Sequence, residues 1–248
     1  MFAPATRPEP KGPDRSVLEA QLAVFAREVG TLYAAERTRS RELTLAVESL
    51  QEAYLATIRA LAQVVEEKDP ATAGHLSRTQ RYGLALARRV DPEVADRDDV
   101  NYGFLLHDIG KVGVPGPILQ KPGPLDEDEW KVMREHPAMG ARIIEPIRFL
   151  SGAMEIVRSH HERWDGMGYP DGLVGVEIPA AARIFSIADS FDAMTSDRPY
   201  RRAMPVEVAL EEIRRGAGSQ FDPFVAAGFL ELVDSGELGE PASMAEAS

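Results

Sequence analysis

From Ser16 to about Lys68 the chain runs almost without a helix breaker, and this stretch limits the possible folds more than any other. Within it Leu18, Leu22, Phe25, Val29 and Leu32 alternate four- and three-residue steps, the spacing of a coiled-coil seam. The polar stretch ERTRSRE interrupts the seam, which resumes through Leu43, Val47, Leu50 and Tyr54. Successive four-residue steps around Leu43 read as a stutter that locally unwinds a supercoil. The favoured reading is a helical stalk over residues 16–68 that pairs in parallel with a second copy. The alternative is that one or both halves pack as ordinary amphipathic helices on the domain, with Gly30 as the break between them.

The remainder of the chain is also helical in pattern. Helices are expected over 72–90, 98–109, 127–134, 152–163, 180–195, 206–215 and 223–233, joined by loops rich in glycine and proline such as VPGPILQKPGPL, WDGMGYPDGLVGVEIP and SDRPYRRAMP. Few alternating strand patterns occur, so the fold class is all-α. Asp69-Pro70 ends the stalk, and a compact domain is expected over 69–235. Residues 1–15, with four prolines in the first fourteen, read as a disordered lead, and 236–248 as a flexible acidic tail.

Composition excludes several classes of function. There is no cysteine, so disulfides, thiolate ligands and a cysteine nucleophile are ruled out, and any metal site must use nitrogen and oxygen. A net charge of -12 argues against a nucleic-acid polymer as partner, because that binding rests on phosphate neutralisation by basic surface. No segment approaches the roughly 18 continuous apolar residues of a membrane span, and the N-terminus lacks the apolar run of a secretory signal. The expected protein is soluble and cytoplasmic.

The chemistry gathers around LLHDIGKVGVP, Leu105 to Pro115, where a histidine stands beside an aspartate at the end of an apolar helix. Neighbours on a continuing helix point about 100° apart, so His107 and Asp108 can converge only where the backbone leaves helical geometry. Gly110 is the expected exit. Alone, such a dipeptide is more often a helix cap than a metal pair. The chain has five histidines, however, His75, His107, His136, His160 and His161, and each lies near a glycine, a proline or another histidine. Any one of them reads as an ordinary core or surface histidine, but five together, with aspartates and no cysteine, read better as a multi-histidine metal site. Imidazole-rich sites suit iron, manganese, zinc, nickel or cobalt. A bridging carboxylate would let two cations sit roughly 3.5 to 4 Å apart, the arrangement used for phosphoester hydrolysis. Asp108 is the natural bridge, and Asp189, an aspartate amid Ile184, Ile187, Ala188 and Phe191, is the best further carboxylate.

HDIGK with a following KPG, then His136, HHERWDGMGYP, ARIFSIADSFDAM and DRPYR, in that order, resemble the HD-GYP family of HD metal-dependent phosphohydrolases over about 66–229. The resemblance implies an HD-type helical bundle that binds two or three metals and hydrolyses the bacterial second messenger cyclic di-GMP. Carried over position by position, it makes His75, His107, Asp108, His136, His160, His161 and Asp189 the metal ligands and places Lys111 over the reacting water and a phosphate. It assigns Tyr169, Arg198 and Arg201 to the nucleotide or its phosphates. Arginines suit that task because they make bidentate contacts to phosphate. Some relatives hold a third metal through a glutamate four residues before the first histidine. Ala71 stands there in this chain, which favours two divalent ions, iron or manganese first.

The expected reaction is attack on cyclic di-GMP in line with the departing ribose 3′ oxygen, giving pGpG and, after a second cut, GMP. Competing readings are a non-catalytic cyclic di-GMP sensor, a module that binds a diguanylate cyclase or sensory partner, and a hydrolase for another cyclic dinucleotide.

Overall fold

The computed structural model describes residues 15–68, 74–197 and 202–238. By its contacts the chain divides into two units, Met1–Tyr54 and Leu55–Ser248. Helix α1 spans Arg15–Lys68. In the first unit its seam is uncovered, with exposures from 38% at Tyr54 to 71% at Leu32. Residues 1–14 of the expected lead and most of the tail lie outside the described residues, while Arg15 is the first residue of α1. Among those described, no helix is long and apolar enough to cross a membrane.

The second unit is all-α, as the sequence leads one to expect. After the final turns of α1 come α2 (His75–Val90), α3 (Pro92–Ala95), α4 (Asp98–Leu106), α5 (Gly116–Leu119), α6 (Glu127–Met133) and α7 (His136–Ile144). Then follow α8 (Ala153–Ser159), α9 (Ala180–Thr195), α10 (Val206–Gly216) and α11 (Pro223–Asp234). Only two isolated bridges, Asp165 with Val174 and Ala217 with Phe221, interrupt the helical pattern among the described residues.

Helix α9 is central because it is apolar on nearly every face: Ile184, Phe185, Ile187, Ala188 and Phe191 are all buried. On one side Phe191 meets Tyr82 of α2 and Phe229 of α11 edge-on, at 5.6 and 5.0 Å between ring centres. On the other, Phe185 stacks on Phe104 of α4 at 4.8 Å. A second apolar cluster joins Ile58 and Ala62 of α1 to Leu105 and Leu106 of α4, Ile144 of α7 and Val157 of α8. Each fully buried side chain of this kind contributes about 1.5–3 kcal/mol. The helices meet so that the C-terminal ends of α4 and α8 and the N-terminal ends of α2 and α7 face one another.

The differences from expectation fall at the histidines. Helix α4 stops at Leu106 rather than at 109, and α8 stops at Ser159 rather than at 163, so His107-Asp108 and His160-His161 stand just past helix ends. Helix α7, which the sequence conceals behind a proline and a glycine, begins at His136. Pro137 occupies its first turn, where a missing N–H costs nothing. Gly110 is not the helical exit: its φ is not positive, and it lies in a 3-10 turn over Ile109–Gly113. Its role is close approach, since a side chain there would run into the His136 carbonyl. The exit is Asp108 itself, with φ -97° and ψ 8°.

Candidate metal centre

Three histidines are set by one local device. His107 Nδ1 lies 2.9 Å from the Phe104 carbonyl, His136 Nδ1 2.8 Å from that of Met133, and His160 Nδ1 3.0 Å from that of Val157. A carbonyl can only accept, so each Nδ1 carries the proton and each Nε2 presents a lone pair. His75, at the start of α2, follows the same rule with a carboxylate: its Nδ1 is 2.8 Å from Asp192 Oδ2, and its Nε2 is 3.3 Å from Asp189 Oδ1.

Asp108 stands between two groups of donors. Its Oδ2 is 3.2 Å from His107 Nε2 and 2.7 Å from Lys111 Nζ. Its Oδ1 is 3.2 Å from His136 Nε2 and 3.8 Å from His160 Nε2. His75, His107 and Asp108 offer donor atoms within 4.8 Å of one another, and so do Asp108, His136, His160 and His161. Among the described residues the two sets share only Asp108.

These residues fit a pair of cations. Among the described residues the buried His107 Nε2 makes no well-aligned hydrogen bond, with only Asp108 Oδ2 beside it at 3.2 Å, a costly state for an unmetallated nitrogen. His136 Nε2 and His160 Nε2 face each other at 3.4 Å, lone pair to lone pair, unless a cation or proton lies between them. Burial, together with His160 and His136, holds His161 well below its ordinary pKa, which keeps its nitrogen free to donate. Burial likewise lowers His160, aided by His107 and His136. Burial disfavours the Asp108 charge, but Lys111, His107 and His136 outweigh it and hold the carboxyl well below the usual range. Burial opposes a charge on His107, but Asp108 and Asp189 raise its pKa. Nitrogen and oxygen donors without thiolate suit iron, manganese, zinc, nickel or cobalt.

Two residues hold this centre that the sequence reading missed. Asp192, one turn beyond Asp189 on α9, binds His75 and also receives Arg78 Nε at 2.5 Å and Nη2 at 3.1 Å. Burial works against the Asp192 charge, but His75 and Arg78 hold its pKa down. The i, i+3 pairs His75/Arg78 and Asp189/Asp192 place each couple on one helix face, the signal that could have found them. Lys68, the last residue of α1, donates to the carbonyls of Lys111, Val112 and Val114 at 3.4, 2.9 and 2.9 Å, so it clasps the turn that carries Lys111.

The Gly168-Tyr169-Pro170 loop is built on another missed residue. Glu162 is buried, and its carboxylate accepts from the backbone N–H of Asp171, Gly172 and Leu173 at 2.7, 3.1 and 3.1 Å. Gly168 passes so close to the Glu162–Arg163 backbone that a Cβ would collide with it. The loop therefore lays the Tyr169 ring 4.8 Å from the His161 ring. Burial raises the Tyr169 pKa, with help from Asp108, so its O–H remains a donor. Hydrogen bonds to a charged group are worth about 1.5–3 kcal/mol each, and Glu162→Ala is expected to lower unfolding stability by about 3 kcal/mol or more. The same variant should open residues 165–175 to proteolysis. An unchanged denaturation midpoint would show that the carboxylate does not brace the loop. Arg198, Arg201 and Ala71 lie outside the described residues.

An all-helical bundle with two groups of nitrogen and oxygen donors, each able to hold a cation, at its helix ends defines the class of domain. The chain matches the HD domain family over residues 59–225, more than half its length, and belongs to that family, in its HD-GYP branch. It is 43% identical over 191 residues to the probable cyclic di-GMP phosphodiesterase of Vibrio cholerae, covering 71% of this chain and 43% of that protein. To the 3'3'-cGAMP-specific phosphodiesterase 3 of the same organism it is 41% identical over 175 residues (70% and 38%). To the cyclic di-GMP phosphodiesterase of Thermotoga maritima it is 40% identical over 176 residues (69% and 47%). The chain thus spans less than half the length of these relatives. Its fold is similar to the crystal structure of a cyclic GMP-AMP specific phosphodiesterase of V. cholerae, with a TM-score of 0.58 at 20% identity, covering 77% of this chain and 52% of that one.

Proposed function

We propose that the chain is a metal-dependent phosphodiesterase that hydrolyses cyclic di-GMP to pGpG and, by a second cut, to GMP. The observation that carries this reading is the position of Asp108, whose two oxygens each face a separate group of imidazole donors. The names of the relatives support it, since two of the three quoted are cyclic di-GMP phosphodiesterases.

In this reading His75, His107 and Asp189 would hold one cation and His136, His160 and His161 the other, with Asp108 available to each group. Ala71 leaves no ligand for a third at the position some relatives use. When bound, such cations would supply Lewis acidity at a phosphate oxygen and would lower the pKa of a bound water toward neutrality. The chain's own residues do the rest. Lys111, 2.7 Å from Asp108, sets a positive charge where a phosphodiester develops negative charge. Tyr169 offers its O–H beside His161, and Arg198 and Arg201 bind the phosphates. Because the substrate is an intracellular messenger, the reading places the chain in the cytoplasm.

Purification under low oxygen with elemental analysis, followed by incubation with cyclic di-GMP and 3′3′-cyclic GMP-AMP side by side, tests all of this together. Two metals per chain and faster turnover of cyclic di-GMP are expected. Metal-loaded protein that leaves it intact would defeat the proposal. Faster turnover of the mixed dinucleotide, the substrate in the name of one relative, would reassign the substrate.

The uncovered seam of α1 supports a parallel homodimer through the first unit. Light scattering should give twice the chain mass, and Leu22→Asp with Leu50→Asp should return it to one. A wild-type monomer would exclude the stalk model.

A further inference from the structure

We propose that Arg134 is a substrate-binding residue whose guanidinium, lying over the rings of Trp130 and Tyr169, presents its N–H edge to a guanine base of the dinucleotide. The proposal rests on the reading of the metal centre as a nucleotide phosphodiesterase site, and it adds a base subsite to it.

The arrangement is a row of flat groups leading away from the cradle. The His161 ring lies 4.8 Å from the Tyr169 ring, the Arg134 guanidinium carbon 5.6 Å beyond that ring's centre, and the same carbon 5.7 Å from the Trp130 ring. Trp130 is 43% exposed although it is an indole. It sits on α6, whose start is fixed by a reciprocal cap: Asp126 accepts from the N–H groups of Asp128 and Glu129, while Glu129 accepts from that of Asp126. The Tyr169 side is fixed by Glu162. Both ends of the row are therefore rigid, and the exposed arginine between them is held by rings rather than by an acid.

That last point is what asks for a ligand. The chain carries 40 acidic residues against 28 basic ones, yet among the described residues no carboxylate pairs with Arg134. A guanidinium over aromatic faces satisfies its π surface and keeps its in-plane N–H donors unspent. The acceptors that fit this fork are a phosphate or the O6/N7 edge of guanine. Guanine is favoured because the row also supplies an exposed indole, and a base stacks on an aromatic face whereas a phosphate does not. Adenine presents an amino donor where guanine presents O6, and an arginine has no acceptor to meet it. The subsite should accordingly discriminate between the two purines.

The test uses the full metal-loaded chain, with GMP and AMP as probes and tryptophan fluorescence as the readout. GMP should quench, Trp130→Phe should remove the quench, and Arg134→Met should weaken GMP by about tenfold or more while AMP, bound weakly, changes far less. Arg134→Lys, which keeps the charge but not the fork, should not restore GMP affinity. The KM for cyclic di-GMP should rise by a similar factor in Arg134→Met, with KM taking the larger share of the loss and kcat the smaller. Unchanged GMP affinity in Arg134→Met overturns the proposal, as does equal weakening of GMP and AMP, which would mark a phosphate contact. If the wild type binds GMP through Arg134 but leaves cyclic di-GMP intact, the subsite stands and the substrate assignment falls. If it cleaves cyclic di-GMP with Arg134-independent binding, the reverse holds.

Discussion

If the proposed function holds, Asp108→Asn should lower cyclic di-GMP turnover by roughly three orders of magnitude, the loss of about 4 kcal/mol of charge stabilisation, and should cut bound metal to one ion per chain or none. The expectation follows from position. Among the described residues Asp108 alone is common to both donor groups, and its two oxygens lie against different ones. An amide is nearly isosteric, but it offers one oxygen where the carboxylate offers two and it brings no negative charge to offset two cations. The surrounding imidazoles would then hold weakly whatever they hold. Thermal unfolding gives an independent readout, because a ligand that binds only the folded state stabilises it by mass action. A chelator should lower the melting temperature of the wild type and barely move that of Asp108→Asn. A variant retaining two metals and full turnover would remove Asp108 from the centre.

Asp192→Ala has the second largest expected effect, although Asp192 is not assigned to touch metal or substrate. It receives His75 Nδ1 and two nitrogens of Arg78 in a nearly closed pocket. Removing one partner of a buried charged cluster costs about 3–5 kcal/mol, because the remaining charge stays buried. Loss of a carboxylate that orients a ligating histidine typically weakens metal binding about 10–100-fold. Asp192→Asn separates the two effects: the amide oxygen still accepts from His75, whereas the charge facing Arg78 is gone. Metal titration should show the alanine variant impaired well beyond the asparagine one. Equal affinities in wild type and Asp192→Ala would leave Asp192 with packing alone. Because the folded pKa of Asp192 lies below its ordinary value, its contribution is present above about pH 4 and fades as pH falls through the folded value. The alanine variant should lose that acid dependence.

The sequence was most legible where local pattern decides the outcome. Helix α9 begins and ends at the expected residues, since its apolar run is long, begins after a proline and stops before SDRP. That the five histidines gather was readable because they are few and stand at breaks in helical pattern. What stayed hidden depends on contacts between distant segments. Gly110 looked like a turn glycine, but it is small because the His136 carbonyl needs the space. Asp192 resembled any helical aspartate until α2 brought Arg78 and His75 onto it. Glu162 and Arg134 gave no signal either, because three backbone N–H groups and two aromatic rings become their partners only after the chain has closed up. Helix α7 was missed because HPAMG carries loop composition. It folds as helix because Pro137 falls in the first turn and Gly140 allows the close approach of Val157 on α8.

Lys68 has a bearing on where this domain begins. It stands 43 residues before Lys111, outside every recognisable motif, and its ammonium takes up the carbonyls of the turn on which Lys111 rides. Ile58, Ala62 and Val65 on the same helix are buried. A chain cut at the first motif histidine would keep every proposed ligand and still strand three carbonyls and an apolar seam in water. The compact second unit starts at Leu55, partway along α1 and some turns before His75, so its packing begins ahead of the first histidine.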